Sequence, residues 1–467
     1  MKKIIYTALV AVTVNGLVLT SCSDDFTETR FFQSEQAAPL TSVEQLESFV
    51  RGTYAKMRNT YYLGSFYRAY AEVRSDEMYN NLATDRLTTY TDYTIKSSSS
   101  EARSTWKALY GAIADANIVI NTSENLTWGE SSESTEIADK VKNLKGQAYA
   151  ARALATFDLL RLYGQKYSGG NLGVVLPTVY NPNGMAARAT IAETEAQIEA
   201  DFQAALNNIG STTDPLDKTF ISPLAVKALM TRYYLYKGDY ARVATLVSEI
   251  RASGGYSVVA SGDLISSFDK VNSENSIFEL AVGLNGALGV NAYDYLLNSG
   301  GYGQIQVLPS AKSLYTTGDV RLNLFKDRRG NVTNFLLKKF PSVKGIGNIK
   351  VIRYEEVLLN GAEAALQTGN TATALVYYNL IRQNRGLAAA TSLTLSDIKN
   401  ERVRELIGEG FRYWDLLRWG DAIPYYNSSG VLESSRNVGD QLLAMPIPDT
   451  ETNVSGTLVV SNPGYDN

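Results

Sequence analysis

Apolar residues recur at every third and fourth position over most of the chain, the spacing that lays one stripe along an α-helix. The pattern predicts helices over residues 43–59, 101–122, 136–163, 191–209, 222–253, 351–385 and 395–419. Two starts are well marked. Thr41-Ser42 precedes the first helix, and Ser222-Pro223 offers a hydroxyl cap followed by proline at the first helical position. Segments 222–253 and 351–385 each break once, at Gly238-Asp239-Tyr240 and at Gly369-Asn370, so each reads as a helix hairpin. The fold class is mainly α.

Both hairpins approach the tetratricopeptide unit, in which small residues such as Ala225, Ala244, Ala362 and Ala365 let paired helices come close. They stand too far apart in the chain for a simple array. The segments between helices have another character. Residues 60–98 are crowded with Tyr61, Tyr62, Phe66, Tyr67, Tyr70, Tyr79, Tyr90 and Tyr93, interleaved with Arg68, Arg74, Asp76, Asn80 and Asn81. Residues 255–348 are rich in Gly, Ser and Asn and carry Tyr293, Tyr295, Tyr302 and Tyr315. Long irregular insertions are usually functional or disordered, and aromatic content argues against disorder. These two regions are the expected binding surface.

The first residues do not belong to that pattern. Lys2 and Lys3 precede an apolar run from Ile4 to Leu19, and Leu19-Thr20-Ser21-Cys22 follows as a lipobox. The run is too short for a permanent span, which needs roughly 20 apolar residues. Residues 1–21 therefore read as a cleaved signal peptide, with Cys22 acylated and residues 22–467 forming the mature protein as a single domain. More than one acyl chain gives stable attachment, so membrane contact is expected through the lipid anchor only.

Composition then removes whole classes of function. There is no histidine, which excludes Ser-His-Asp triads, His-ligated zinc and histidine general bases. The one cysteine is the lipobox residue, so no disulfide or thiolate metal site is expected. Without the two signal lysines, 42 basic side chains face 48 acidic ones, a net charge of −6 that argues against nucleic acid. Thirty tyrosines against 14 phenylalanines and 4 tryptophans favour shallow recognition of amphipathic ligands. Gly301-Tyr302-Gly303 and Gly345-Ile346-Gly347 lack the third glycine of a dinucleotide site. No cofactor is indicated. Oxygen ligands at Asp24-Asp25 or Asp76-Glu77 leave a structural calcium conceivable, without a calcium loop.

Residues 400–420 read NERVRELIGEGFRYWDLLRWG. Glu401 with Arg404, and Arg402 with Glu405, sit three apart within pairing range on one helix. A glycosidase pair of Glu405 and Glu409, with Asp415 nearby, is the catalytic alternative. Two glutamates four apart on one arginine-rich helix flank a substrate poorly, and no catalytic residue is assigned. The string closely resembles the C-terminal signature of the SusD/RagB lipoproteins. So do Arg353-Tyr354-Glu355-Glu356 with Ala362-Glu363-Ala364, Ile381-Arg382 before Arg385-Gly386, Met445-Pro446-Ile447-Pro448, and Asn462-Pro463-Gly464-Tyr465. Ser23-Asp24-Asp25 resembles the acidic tag that sends Bacteroidetes lipoproteins to the outer face of the outer membrane.

The resemblance implies four tetratricopeptide-like hairpins with loop-rich insertions, a SusC-like TonB-dependent transporter as partner, and no enzymatic activity. It implies a nutrient ligand, with an oligosaccharide favoured and an oligopeptide, as in the RagB branch, the alternative. Tyr61, Tyr62, Tyr67, Tyr79, Tyr293, Tyr295 and Tyr302 are the candidate stacking residues. Arg74, Asp76 and Asn80 are the candidate polar contacts.

Overall fold

The computed structural model describes residues 39–129, 134–210, 217–454 and 456–465. Contacts gather Leu40–Tyr180 and Met185–Asn467 into one compact unit. Its α-helices of five or more residues are α1 (Val43–Met57), α2 (Phe66–Glu72), α3 (Ser100–Asn121), α4 (Ser134–Tyr163), α5 (Ile191–Ile209), α6 (Pro223–Lys237) and α7 (Tyr240–Ala252). After them come α8 (Tyr293–Leu297), α9 (Tyr354–Gln367), α10 (Thr371–Gln383), α11 (Leu395–Leu406) and α12 (Arg412–Trp419). Signal peptide and Cys22 lie outside the described residues.

The helix starts have their expected chemistry. The Ser42 hydroxyl accepts the Gln45 N–H and the Ser222 hydroxyl accepts the Ala225 N–H, while Thr190–Glu193 and Thr394–Asp397 close reciprocal capping boxes. The hairpin α6–α7 turns at Gly238, and α9–α10 at Gly369. Helix α4 packs on α3 and α5, α1 on α3, and α9 on α7, α10 and α11, an arrangement consistent with tetratricopeptide-like pairing. Gly361 is where α9 comes closest: a Cβ there would stand 2.6 Å from Val247 of α7 and 2.9 Å from the Tyr377 ring of α10.

Two predicted boundaries need correction. Residues 351–353 belong to a strand, because β4 (Ile349–Arg353) pairs antiparallel with β2 (Ser276–Leu280) before α9 begins. The predicted helix 395–419 is two helices. Gly408 and Gly410 take φ of 78° and 84°, a backbone that side-chain-bearing residues rarely adopt, and the chain turns between α11 and α12. Two further strand pairs tie the insertions together. They are β1 (Met78–Asn80) with β3 (Ile305–Val307), and the hairpin β5 (Ile423–Tyr426) with β6 (Leu432–Arg436).

Among the described residues no helix is long and apolar enough to cross a membrane.

Candidate functional site

The carboxylates of the C-terminal signature come first, because they decide whether the chain has a catalytic pair. Glu405 lies 2.8 Å from Arg353, 2.8 Å from Arg385 and 3.0 Å from Arg321. Glu409 is held by Arg353 at 2.8 Å and Lys339 at 2.6 Å, and Glu401 by Arg321 at 2.6 Å. Asp319, Glu355 and Arg404 complete a buried network. Burial alone would raise Glu405, but Arg385, Arg353 and Arg321 outweigh it and hold its carboxyl well below the usual range. A carboxylate gripped by three guanidiniums is a poor proton donor. The expected Glu401–Arg404 pair forms at 2.5 Å. The expected Arg402–Glu405 pair does not: Arg402 turns to Asp415, at 2.6 Å, and to Asn360.

Most of the predicted ligand residues also turn inward. Tyr62 and Tyr67 are buried and donate to the two oxygens of Asp158 on α4, at 2.6 and 2.7 Å. Desolvation and then the Asp158 charge raise Tyr62, and desolvation raises Tyr67 against the opposing pull of Arg161. Arg74 is fully buried, sandwiched against Tyr70 and Tyr93 and donating to the Tyr90 carbonyl. Asn80 is buried on Thr91, and Tyr79 is covered and bonded to Gln306 at 2.9 Å. Tyr293 packs edge-on to Phe340 beneath the Arg68 guanidinium. Asp76 is clamped by Arg412 at 2.6 Å, and Glu77 is buried against Glu72, so neither oxygen set at Asp76-Glu77 is free for calcium. Asp24-Asp25 lie outside the described residues. The physical reason for these corrections is common to all: a tyrosine hydroxyl or guanidinium is as readily satisfied inside a helical core as by a ligand.

Tyr61, Tyr295 and Tyr302 remain partly exposed. They sit on two insertions, 60–98 and 255–348, which specific bonds join. Arg58, beside the Tyr61 turn, donates to the Ala281 carbonyl at 2.6 Å. Asn81 donates to the Gly303 carbonyl at 3.1 Å, and Arg86 to Asn291 at 3.4 Å. The Arg86 guanidinium lies 4.5 Å above the Tyr302 ring, whose neighbour Tyr295 meets it edge-on at 4.8 Å. A Cβ at Gly301 would strike the Tyr295 carbonyl at 2.4 Å, so only glycine permits the turn that pairs these rings.

The loop opposite carries strain. Leu82, Leu87 and Tyr93 take φ of 56°, 63° and 58°, each costing roughly 1–2 kcal/mol. Such strain concentrates where a backbone is held for a purpose. Exposed Leu82, Leu284 and Val290 lie on the same segments. Sequence reasoning missed Arg86 and Asn291, which sit among more conspicuous tyrosines. It also missed Tyr425, whose hydroxyl donates to Asp92 at 3.2 Å and ties β5 to this loop. The resulting face offers aromatic rings, amides, the Arg86 guanidinium and exposed Asp85.

Comparison with known proteins follows the same division of the chain. A model described as "SusD family" matches residues 324–465, and one described as "Starch-binding associating with outer membrane" matches residues 27–235. The chain belongs to the SusD/RagB family. A SusD-like protein of Formosa agariphila is 23% identical, covering 68% of this chain and 72% of its own. A putative sugar binding protein of Bacteroides vulgatus superposes with a TM-score of 0.82 at 25% identity, covering 92% of this chain and all of its own. A laminarin binding SusD-like protein superposes with a TM-score of 0.71 at 22% identity, over 91% of this chain and all of its own, which shows the shared fold. This is a glycan-binding family associated with the outer membrane. Residues 236–323 fall between the two matched stretches, and they supply Tyr295, Tyr302 and Asn291 of the SusD/RagB chain's exposed face.

Proposed function

We propose that this protein is a surface-anchored binder of an oligosaccharide, which it hands to a SusC-like TonB-dependent transporter. The anchor is acylated Cys22, and the acidic Ser23-Asp24-Asp25 tag directs the protein to the extracellular face of the outer membrane. The single observation that supports a glycan most directly is the Arg86–Tyr302–Tyr295 cluster on a face stitched from the two insertions. Pyranose rings present apolar C–H faces to aromatic rings, and their hydroxyls match amides, guanidinium and carboxylate. The paired state of Glu401, Glu405 and Glu409 supports binding without hydrolysis. Uptake needs no chemistry from this subunit.

Isothermal titration of the mature protein against a panel of plant and host glycans, beside a protein-digest peptide mixture, tests the reading. Heat from one glycan class with no release of reducing ends is the expected result. Heat from the peptide mixture alone would move the ligand to the oligopeptide class.

A further inference from the structure

Helices α4, α6, α9, α11 and α12 converge on a small cavity whose lining includes none of the residues of the exposed face. It leaves about 20 Å³ for the centre of a water-sized guest, room for a single small one. Its charged lining is Arg161 of α4, Arg232 of α6, Arg402 of α11, and Asp415 and Arg418 of α12.

Most of these groups already have partners. Arg232 grips Glu356 through two nitrogens, both at 2.7 Å. Arg418 pairs with Glu363 and, at 2.9 Å, with one oxygen of Asp415. Arg402 holds the other Asp415 oxygen at 2.6 Å and donates to the Asn360 amide oxygen at 2.8 Å. Arg161 reaches Asp158 and the Tyr67 hydroxyl through one terminal nitrogen. Tyr236 supplies ring surface, and its hydroxyl feels Glu195. Asp158, Glu356 and Glu363 balance the guanidiniums but lie outside the lining, so four cations and one engaged carboxylate face the guest.

Two N–H groups in this wall have no partner among the described residues, Arg161 Nε and Trp414 Nε1. Their side chains belong to residues only 6% and 5% exposed, so bulk water does not satisfy them. A buried donor left unmet bears its full desolvation penalty. The Arg161 guanidinium carbon stands 4.9 Å from the centre of a Trp414 ring, which places the two donors in one neighbourhood. Neither nitrogen can accept a hydrogen bond. The guest that answers them is therefore an acceptor. Its charge follows from the four guanidiniums, whose field favours an anion over a neutral molecule. A water would also bring two hydrogens to a lining whose carboxylate oxygens are both engaged, whereas an anion brings none. The cavity is too small for a carboxylate, phosphate or sulfate.

We infer that this cavity binds one halide ion, chloride in ordinary media, held by the Arg161 and Trp414 N–H groups. The ion ties α4 to α12, and so joins the stretch of chain matched by one family model to the stretch matched by the other. Its role is structural, and it stands or falls separately from the glycan reading.

Thermal unfolding of the mature protein tests this, with sodium chloride replacing sodium gluconate at constant ionic strength. Wild-type Tm should rise saturably with chloride, as it does for any ligand that binds only the folded state. Trp414→Phe keeps most of the ring surface and removes one donor, and should need roughly tenfold more chloride for the same half-rise. Wild-type crystals soaked in sodium bromide should show an anomalous peak within hydrogen-bonding reach of Arg161 Nε and Trp414 Nε1, a result that decides the question even if the variant fails to fold. A cavity that holds only water, bromide found at the surface as an adventitious ion only, or the same chloride dependence in both proteins would overturn the assignment.

Discussion

Glu72 and Glu77 lie buried at the end of α2, close enough to share a proton. Burial is the main cause of both raised carboxyls, and for Glu77 the Glu72 charge adds to it. The pair holds the glycine turn between α11 and α12: Gly408 donates its N–H to Glu77 at 3.2 Å, and Gly410 donates to Glu72. Folded values above the unfolded carboxylate value of about 4.3 mean that the protonated pair's stabilisation is complete below that pH and is lost as pH rises through the folded values. Glu77→Gln keeps a donor toward Glu72 and an acceptor toward Gly408 while removing one ionisation. Urea denaturation should show this variant gaining on wild type as pH rises from about 5 to about 9; parallel curves would exclude the shared proton. Glu405 behaves oppositely. Glu405→Gln leaves three buried guanidiniums short of charge and should lower stability by about 3–5 kcal/mol, seen as a lower urea midpoint.

Single residues also mark where sequence stops being informative. Tyr62 and Tyr67 look like ligand residues because a dense run of tyrosines reads the same whether its hydroxyls face solvent or core. Their partner Asp158 is 96 and 91 residues away, and nothing local announces it. The spacing of Arg402 and Glu405 suggested a pair, but helix geometry only permits that contact. Stronger partners on α12 and α9 took Arg402 instead.

At the scale of elements, periodicity located the long helices and hairpins to within a few residues, because each buries one stripe and carries its own caps. The turn at Gly408–Gly410 was not legible as a break, since both glycines sit inside an apolar pattern that continues across them. The structure explains why they must be glycine. A Cβ at Gly410 would stand 2.9 Å from the Arg68 Cα, on a φ of 84°. Gly410→Ala should therefore destabilise by about 1–2 kcal/mol from backbone strain, plus about 1–3 from overpacking. Thermal unfolding measures this directly, and a Tm equal to wild type would show that α2 and the turn can separate at little cost. Aromatic content alone marks the insertions as the expected ligand face. Which of their rings remain exposed depends on the β1–β3 pairing and the Arg86–Asn291 contact, both long-range.

The whole molecule divides its charges by task. Arg321, Arg353, Arg385, Arg404 and Lys339 face Asp319, Glu355, Glu401, Glu405 and Glu409, joining α9, α10 and α11 to β4. In Glu401, Glu405, Glu409 and Asp415, burial works against the neighbouring cations and the cations prevail. Their stabilisation is present above the unfolded carboxylate value and is lost as pH falls through the lowered folded values, so the protein should unfold in acid. Far-ultraviolet dichroism across an acid titration checks the transition. The exposed face keeps few charges and several rings. Its account is tested most directly by titrating Tyr295→Ala/Tyr302→Ala with the oligosaccharide that wild type binds. The double variant should lose at least tenfold in affinity while its Tm stays within a few degrees of wild type. Undiminished affinity in a folded double variant would contradict the assignment of this face as the glycan site.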